Sequence, residues 1–186
     1  MHFTLSDLLT DITQNAAESG ADLVEVDVQE TDAEFRFIVK DNGKGMSRDE
    51  LQRAIDPFQT DGQKHPNRKV GLGIPFLIQT ANQSAGGWDF DSEKNSGTTV
   101  TAWFDTKNVD TPPVGDLSGM FRTLLLFPGP REVIIRRTLK KDGRDIQYEI
   151  KKTELLEALG DFEDVSSLVL LDRYLRSMED DEPEEE

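Results

Sequence analysis

The sequence predicts an α/β fold in which strands come in neighbouring pairs rather than in repeated βαβ units. Two observations near the N-terminus carry this expectation. Leu5, Leu8, Leu9, Ile12 and Ala16 recur at spacings of three and four, the period of one helix face. Val24, Val26 and Val28, then Phe35, Phe37 and Val39, alternate at a spacing of two on either side of Glu30-Thr31-Asp32, the pattern of a half-buried hairpin. A third observation comes later: a second strand pair is expected at Gly86 to Asp91 and Thr98 to Phe104.

Taken in order, the first helix has Thr4 or Ser6 available as its cap before Asp7, and Gly20 ends it. Asp41-Asn42-Gly43-Lys44-Gly45 breaks the second strand, and a short helix is expected from Ser47 to about Ile55. Residues 56 to 70 are polar, contain proline and show no period, so a mobile loop is expected there. A further helix begins near Gly71 and tolerates Pro75 in its first turn, where no intrahelical donor is lost. Thr111-Pro112-Pro113 marks a change of pattern. Beyond it come an apolar stretch around Phe121 to Phe127 and a hairpin of Val133 to Leu139 and Ile146 to Ile150 about Asp142-Gly143. Helices over Thr153 to Leu159 and Phe162 to about Met178 complete the pattern. The division expected is a domain over 1–105, a linker over 106–115, a small α+β extension over 116–178 and an acidic disordered tail over 179–186.

Composition excludes several functions. The 186 residues carry 21 Lys+Arg against 37 Asp+Glu, a formal net charge of −16, and an acidic surface repels phosphate backbones, so no nucleic-acid partner is expected. Seven of the eight residues in Glu179–Glu186 are acidic; a like-charged run repels itself and buries nothing. The absence of cysteine removes disulfides, thiolate metal sites and a Cys nucleophile, and two histidines are too few for a His-rich metal site. With no long apolar run and no signal-peptide pattern, a cytoplasmic protein with no membrane partner is expected. The basic stretch Arg131, Arg136, Arg137, Lys140, Lys141 and Arg144 reads as a solvated hairpin face.

Four short segments carry chemistry. Asp11 and Asn15, four apart on the first helix, project from one side. Asp41-Asn42-Gly43-Lys44-Gly45-Met46 sets a carboxylate at a strand end beside two glycines that allow positive φ and a close approach to a ligand. Val70-Gly71-Leu72-Gly73-Ile74 opens a helix, where free N–H groups and the positive dipole end suit phosphate. Gly97-Thr98-Thr99 begins a strand.

In order and spacing these segments resemble the histidine-kinase-like ATPases, the superfamily that includes DNA gyrase, heat-shock chaperone ATPases and mismatch-repair ATPases. The resemblance spans residues 1 to about 105. It implies a Bergerat fold: a two-layer sandwich of a mixed, mostly antiparallel sheet with helices on one face. It implies Mg-ATP as ligand, with Asn15 holding Mg2+ and Asp41 accepting a hydrogen bond from the adenine amino group. Gly43, Gly45, Met46, Gly71, Leu72, Gly73 and Thr98 are then nucleotide-binding residues, and Lys64 and Lys69 lid cations near the γ-phosphate. Ile55-Asp56-Pro57-Phe58 looks like the start of a nucleotide lid in sensor histidine kinases.

The catalytic position departs from the hydrolysing branches, where a Glu activates water; here it is Asp11, one methylene shorter. Slow hydrolysis is expected, with Glu18 the lesser candidate for a substitute. Neither His2 nor His65 occupies a phosphoacceptor helix, so autophosphorylation on histidine is not expected. The function implied is γ-phosphoryl transfer to a separate protein partner, against the alternatives of a nucleotide-dependent interaction module or a weak ATPase. The partner's identity and the oligomeric state, a homodimer included, are left open.

Overall fold

A computed structural model of the chain describes residues 3–56 and 73–180. Residues 57–72, which include the expected loop beyond Asp56 with Lys64 and Lys69 and the expected helix start at Gly71 and Leu72, lie outside them. Helix α1 (Leu5–Glu18) leads into strands β1 (Leu23–Thr31) and β2 (Glu34–Asp41) and helix α2 (Arg48–Ile55). Helix α3 (Gly73–Gln83) precedes β3 (Gly87–Glu93) and β4 (Gly97–Asp105). Helix α4 (Leu117–Leu126), β5 (Glu132–Lys141), β6 (Arg144–Lys151), α5 (Lys152–Leu159) and α6 (Val165–Glu179) follow. Among the described residues, no helix is long and apolar enough to cross a membrane.

Among the described residues six strands form one sheet in the order β3-β4-β2-β1-β5-β6. Only β1 and β5 run parallel; every other neighbouring pair is antiparallel. Residues expected to form a separate extension therefore continue the sheet, with Val24 beside Val133 and Val26 beside Ile135. The linker is tied down as well. Leu5 and Ser6 donate backbone N–H bonds of 2.9 Å to the carbonyls of Pro113 and Val114, partnering two first-turn donors of α1 that have no acceptor within the helix. Thr4 completes that end with a capping box on Asp7.

Alternation places Val24, Val26 and Val28, Phe35, Phe37 and Val39, and Val100, Ala102 and Phe104 on one sheet face. They form a continuous core with Leu5, Leu8, Leu9 and Ile12 of α1, Leu77 of α3, and Phe121 and Leu124 of α4. The opposite face is polar: Arg136 reaches Glu25 at 3.0 Å and Glu149 at 2.8 Å, and Arg36 lies over the Trp103 ring.

The hairpin between β5 and β6 corrects the expectation of a solvated basic face. Successive strand residues point to opposite sides, so Arg136 faces outward while Arg137 turns into the helix layer, 1% exposed. There Arg137 binds Glu30 at 2.7 Å and Glu179 at 3.1 Å, and Lys141 joins Glu30 at 3.0 Å. Glu179 also accepts from the Tyr148 hydroxyl; burial, together with this bond, holds the Tyr148 proton well above the usual phenol range. Glu179, assigned by composition to a disordered tail, is thus the last residue of α6 and its anchor to the sheet. The tail residues beyond Asp180 lie outside the described residues.

Removing one member of a buried ion pair leaves its partners desolvated without compensation, at a cost of about 3–5 kcal/mol. Arg137→Ala is expected to lower the unfolding free energy by about 3 kcal/mol or more in urea titration; a change below about 1 kcal/mol, the range of exposed pairs, would contradict the anchoring role.

Candidate nucleotide site

The site lies where the outer side of α1, the end of β2, the start of β4 and the first residue of α3 meet. Asp11 and Asn15 are exposed on α1, one turn apart, between buried positions Ile12, Thr13, Ala16 and Ala17 that fix the helix against the sheet. Gly73 opens α3 directly against Asp11: a Cβ placed on Gly73 would stand 3.2 Å from the Asp11 Cβ. The sequence-distant first and third segments are thereby brought together. Partial desolvation, and secondly the neighbouring Asp7, raise the Asp11 carboxyl above its ordinary value.

Asp41 closes β2 with its side chain almost wholly buried. Its Oδ1 accepts the Gly43 N–H at 2.8 Å and the Ser19 hydroxyl at 3.1 Å, and the backbone of Thr98 adds a further bond. Burial pushes its carboxyl upward and these three donors pull it back. A carboxylate offers about four acceptor positions, so Asp41 keeps capacity for a donor from a ligand.

The glycines act differently from the expectation that both take positive φ. Gly45 does, at φ 58°, but Gly43 does not. Gly43 is needed for space: a Cβ there would fall 1.8 Å from Ser19 Oγ. Gly97, at φ 113°, lets β4 pass so close to Asp41 that a Cβ would meet its carbonyl oxygen at 1.9 Å. That approach sets Thr98 beside Asp41 in the β2–β4 register.

Three supporting residues were not singled out in the sequence. Ser19 links the end of α1 to Asp41 while also contacting the Ala16 carbonyl. Asn42 Oδ1 accepts from the N–H groups of Asp22 and Leu23 at 2.9 and 3.0 Å, fastening the turn to the start of β1. Ser92 of β3 receives the Met46 N–H at 2.8 Å and hydrogen-bonds the Thr98 hydroxyl at 2.8 Å. An isolated Ser or Asn beside a turn has no periodic signal; only the pairing of β3 with β4 brings Ser92 to Met46. Glu18, the alternative base, accepts instead from Gln14 on the helix surface.

The model for histidine kinase-, DNA gyrase B- and HSP90-like ATPases matches residues 3–108, more than half of the chain. The chain belongs to this ATPase family. It is 27% identical to the sensor kinase CckA of Brucella abortus (strain 2308) over 77% of its own length, spanning 16% of that kinase. Among solved structures, the N-terminal domain of a DNA repair protein covers 77% of this chain and 51% of its own at 12% identity, with a TM-score of 0.47. The Aquifex aeolicus MutL ATPase domain complexed with ADP covers 91% and 70% at 15% identity, with a TM-score of 0.37. For this ATPase family the sheet and helix layer just described constitute the Bergerat arrangement, and membership implies ATP binding.

The residues present suit that nucleotide. Asp41 retains acceptor capacity at the strand end, and Asn15 offers an exposed amide oxygen one turn along α1 from Asp11, which meets the start of α3. Among the described residues no group of three or more His, Asp or Glu could by itself hold a metal ion. A magnesium ion arriving with nucleotide phosphates would keep most of its waters, and Asn15 is the residue that would offer it an oxygen.

The contact between Gly43 and Ser19 gives a direct test of this packing. Gly43→Ala is expected to cost about 1–3 kcal/mol in denaturant unfolding, the usual penalty of overpacking. Ser19→Gly in the same chain should recover a large part of it, because the two changes share one contact. Additive losses would show that the two residues do not press on each other.

Proposed function

We propose that this chain binds Mg-ATP at the Asp41 site and transfers the γ-phosphoryl group to a side chain of a separate protein. What supports this reading is the contact of Asp11 with Gly73 at the start of α3, made by the same helix whose C-terminal end is tied through Ser19 to the Asp41 carboxylate, in a chain of the ATPase family. Asp41 accepts from the exocyclic amine of adenine and meets only a carbonyl in guanine, so it selects between them. Asn15 supplies an oxygen ligand, and the start of α3 directs its N–H groups and dipole toward negative charge. Bound magnesium would neutralise the phosphates, leaving positioning as the main work of the protein.

Asp11 stands where hydrolysing relatives carry Glu. The shorter side chain draws the carboxylate back toward α1 and away from an attacking water, while a hydroxyl or imidazole presented by a partner can come to it. Transfer is therefore favoured over hydrolysis.

With γ-labelled Mg-ATP, the wild-type chain is expected to bind nucleotide and release phosphate slowly, and Asp11→Glu to release it faster by about tenfold, the order of one general-base interaction's partial recovery. Added to a soluble extract of the source cells, the wild type should label a protein that Asp41→Asn does not. Rapid release by the wild type would make this a hydrolase, and absence of any Asp41-dependent label would remove the transfer.

A further inference from the structure

Helix α6 is apolar on two sides. Ser167, Leu171 and Leu175 are buried against the body of the protein. On the outward side Val165 is 73% exposed, Val169 46%, Leu170 49% and Tyr174 38%. These are four of the seven large apolar side chains exposed among the described residues. Apolar side chains thus stand on the outward side as well as on the buried one, interspersed with Ser166, Arg173 and Ser177.

The outward residues follow a packing seam. Ser166, Val169, Leu170, Arg173 and Ser177 recur at three and four, with Val165 and Tyr174 flanking them. The exposed apolar positions are also symmetric about the midpoint between Val169 and Leu170. On its exposed side Glu163 and the cap Asp164 stand at the start of the helix and Arg173 and Arg176 in its second half, where Asp172 is paired with Arg122 and Arg176 and Glu179 with Arg137 of the same chain. This layout discriminates between ways of covering the face. A parallel second helix in register sets Arg173 against Arg173. An antiparallel copy, with a two-fold axis between Val169 and Leu170, sets the long Arg173 against the small Ser166 and within one turn of Glu163 of the other copy. It also aligns the two helix dipoles favourably.

We propose that the outward face of α6 is an isologous interface through which two copies of this chain associate, with their α6 helices antiparallel. The interface lies on the segment that Arg137 anchors through Glu179, so it is carried on a fixed element. A two-fold contact of this kind is closed and self-complementary, which limits association to a pair.

Sedimentation of the full chain across a concentration series should show a mass rising from one chain to two. Leu170→Asp, at an exposed position, should hold it at one. Glu163→Arg should weaken the pair, and adding Arg173→Glu should restore it. The chain has no cysteine, so a single introduced thiol reports geometry. Val169→Cys sits beside the axis and should form a disulfide-linked pair on oxidation. Two Val165 positions lie nine residues apart along antiparallel helices, about 13 Å at 1.5 Å per residue, too far for a disulfide. Val165→Cys should remain unlinked. A mass of one chain at every concentration would overturn the proposal and leave the face to a different protein. A pair that survives Leu170→Asp, or cross-linking at 165 equal to that at 169, would overturn it too.

Discussion

A carboxylate buried at the end of a strand requires donors, because an unpaired charge in such a place costs far more than the packing of any one side chain can offset. Asp41 obtains them from three separate parts of the chain: Ser19 after α1, Gly43 in the turn that follows, and Thr98 at the start of β4. Each donor arrives only because something small allows it. Gly43 leaves room for the Ser19 side chain, and Gly97 allows β4 to run against the Asp41 backbone. The end of α1, the turn and the β2–β4 register therefore depend on one another, and Asp41 is where they meet.

Helix α1 is held at both ends by this arrangement. Its C-terminal end is joined to Asp41 through Ser19, and its N-terminal donors are taken by the carbonyls of Pro113 and Val114. The helix presenting Asp11 and Asn15 cannot tilt without breaking one or the other. Reactive groups on a rigid element clamped in this way keep their geometry more closely than groups on a loop. The segment after β4 thus serves the site without touching it: its linker caps α1, and its strands extend the sheet from β1. At the far end of the same sheet face, Arg137 does for α6 what Asp41 does for α1, drawing a helix end onto a strand through a buried charge.

Most elements were legible in the sequence because their apolar periods are long and their caps conventional, as with Thr4 and Ser47. The Asp142-Gly143 hairpin was legible for a different reason: both residues take positive φ, 53° and 79°, which that pair tolerates well. Asp41, Asn15 and Gly73 stood out because they belong to motifs. Ser19, Asn42 and Ser92 were missed because their partners lie elsewhere in the chain, and nothing local marks a serine that will face a carboxylate 22 residues on. Composition misled at two places. The run of acids hid Glu179, which turns inward, and the run of bases hid Arg137, since a strand sends neighbours to opposite faces. Net charge describes a segment's average, whereas burial is decided residue by residue.

In the proposed function Asp41 is the residue that recognises adenine. Calorimetric titration of the wild-type chain and Asp41→Asn with Mg-ATP and Mg-GTP tests this most directly. The wild type should bind ATP in preference to GTP, and the variant should lose about 1–3 kcal/mol of ATP affinity, the penalty for a buried polar group left without its match. Equal affinity of wild type and variant for ATP, or equal binding of the two nucleotides by the wild type, would contradict it.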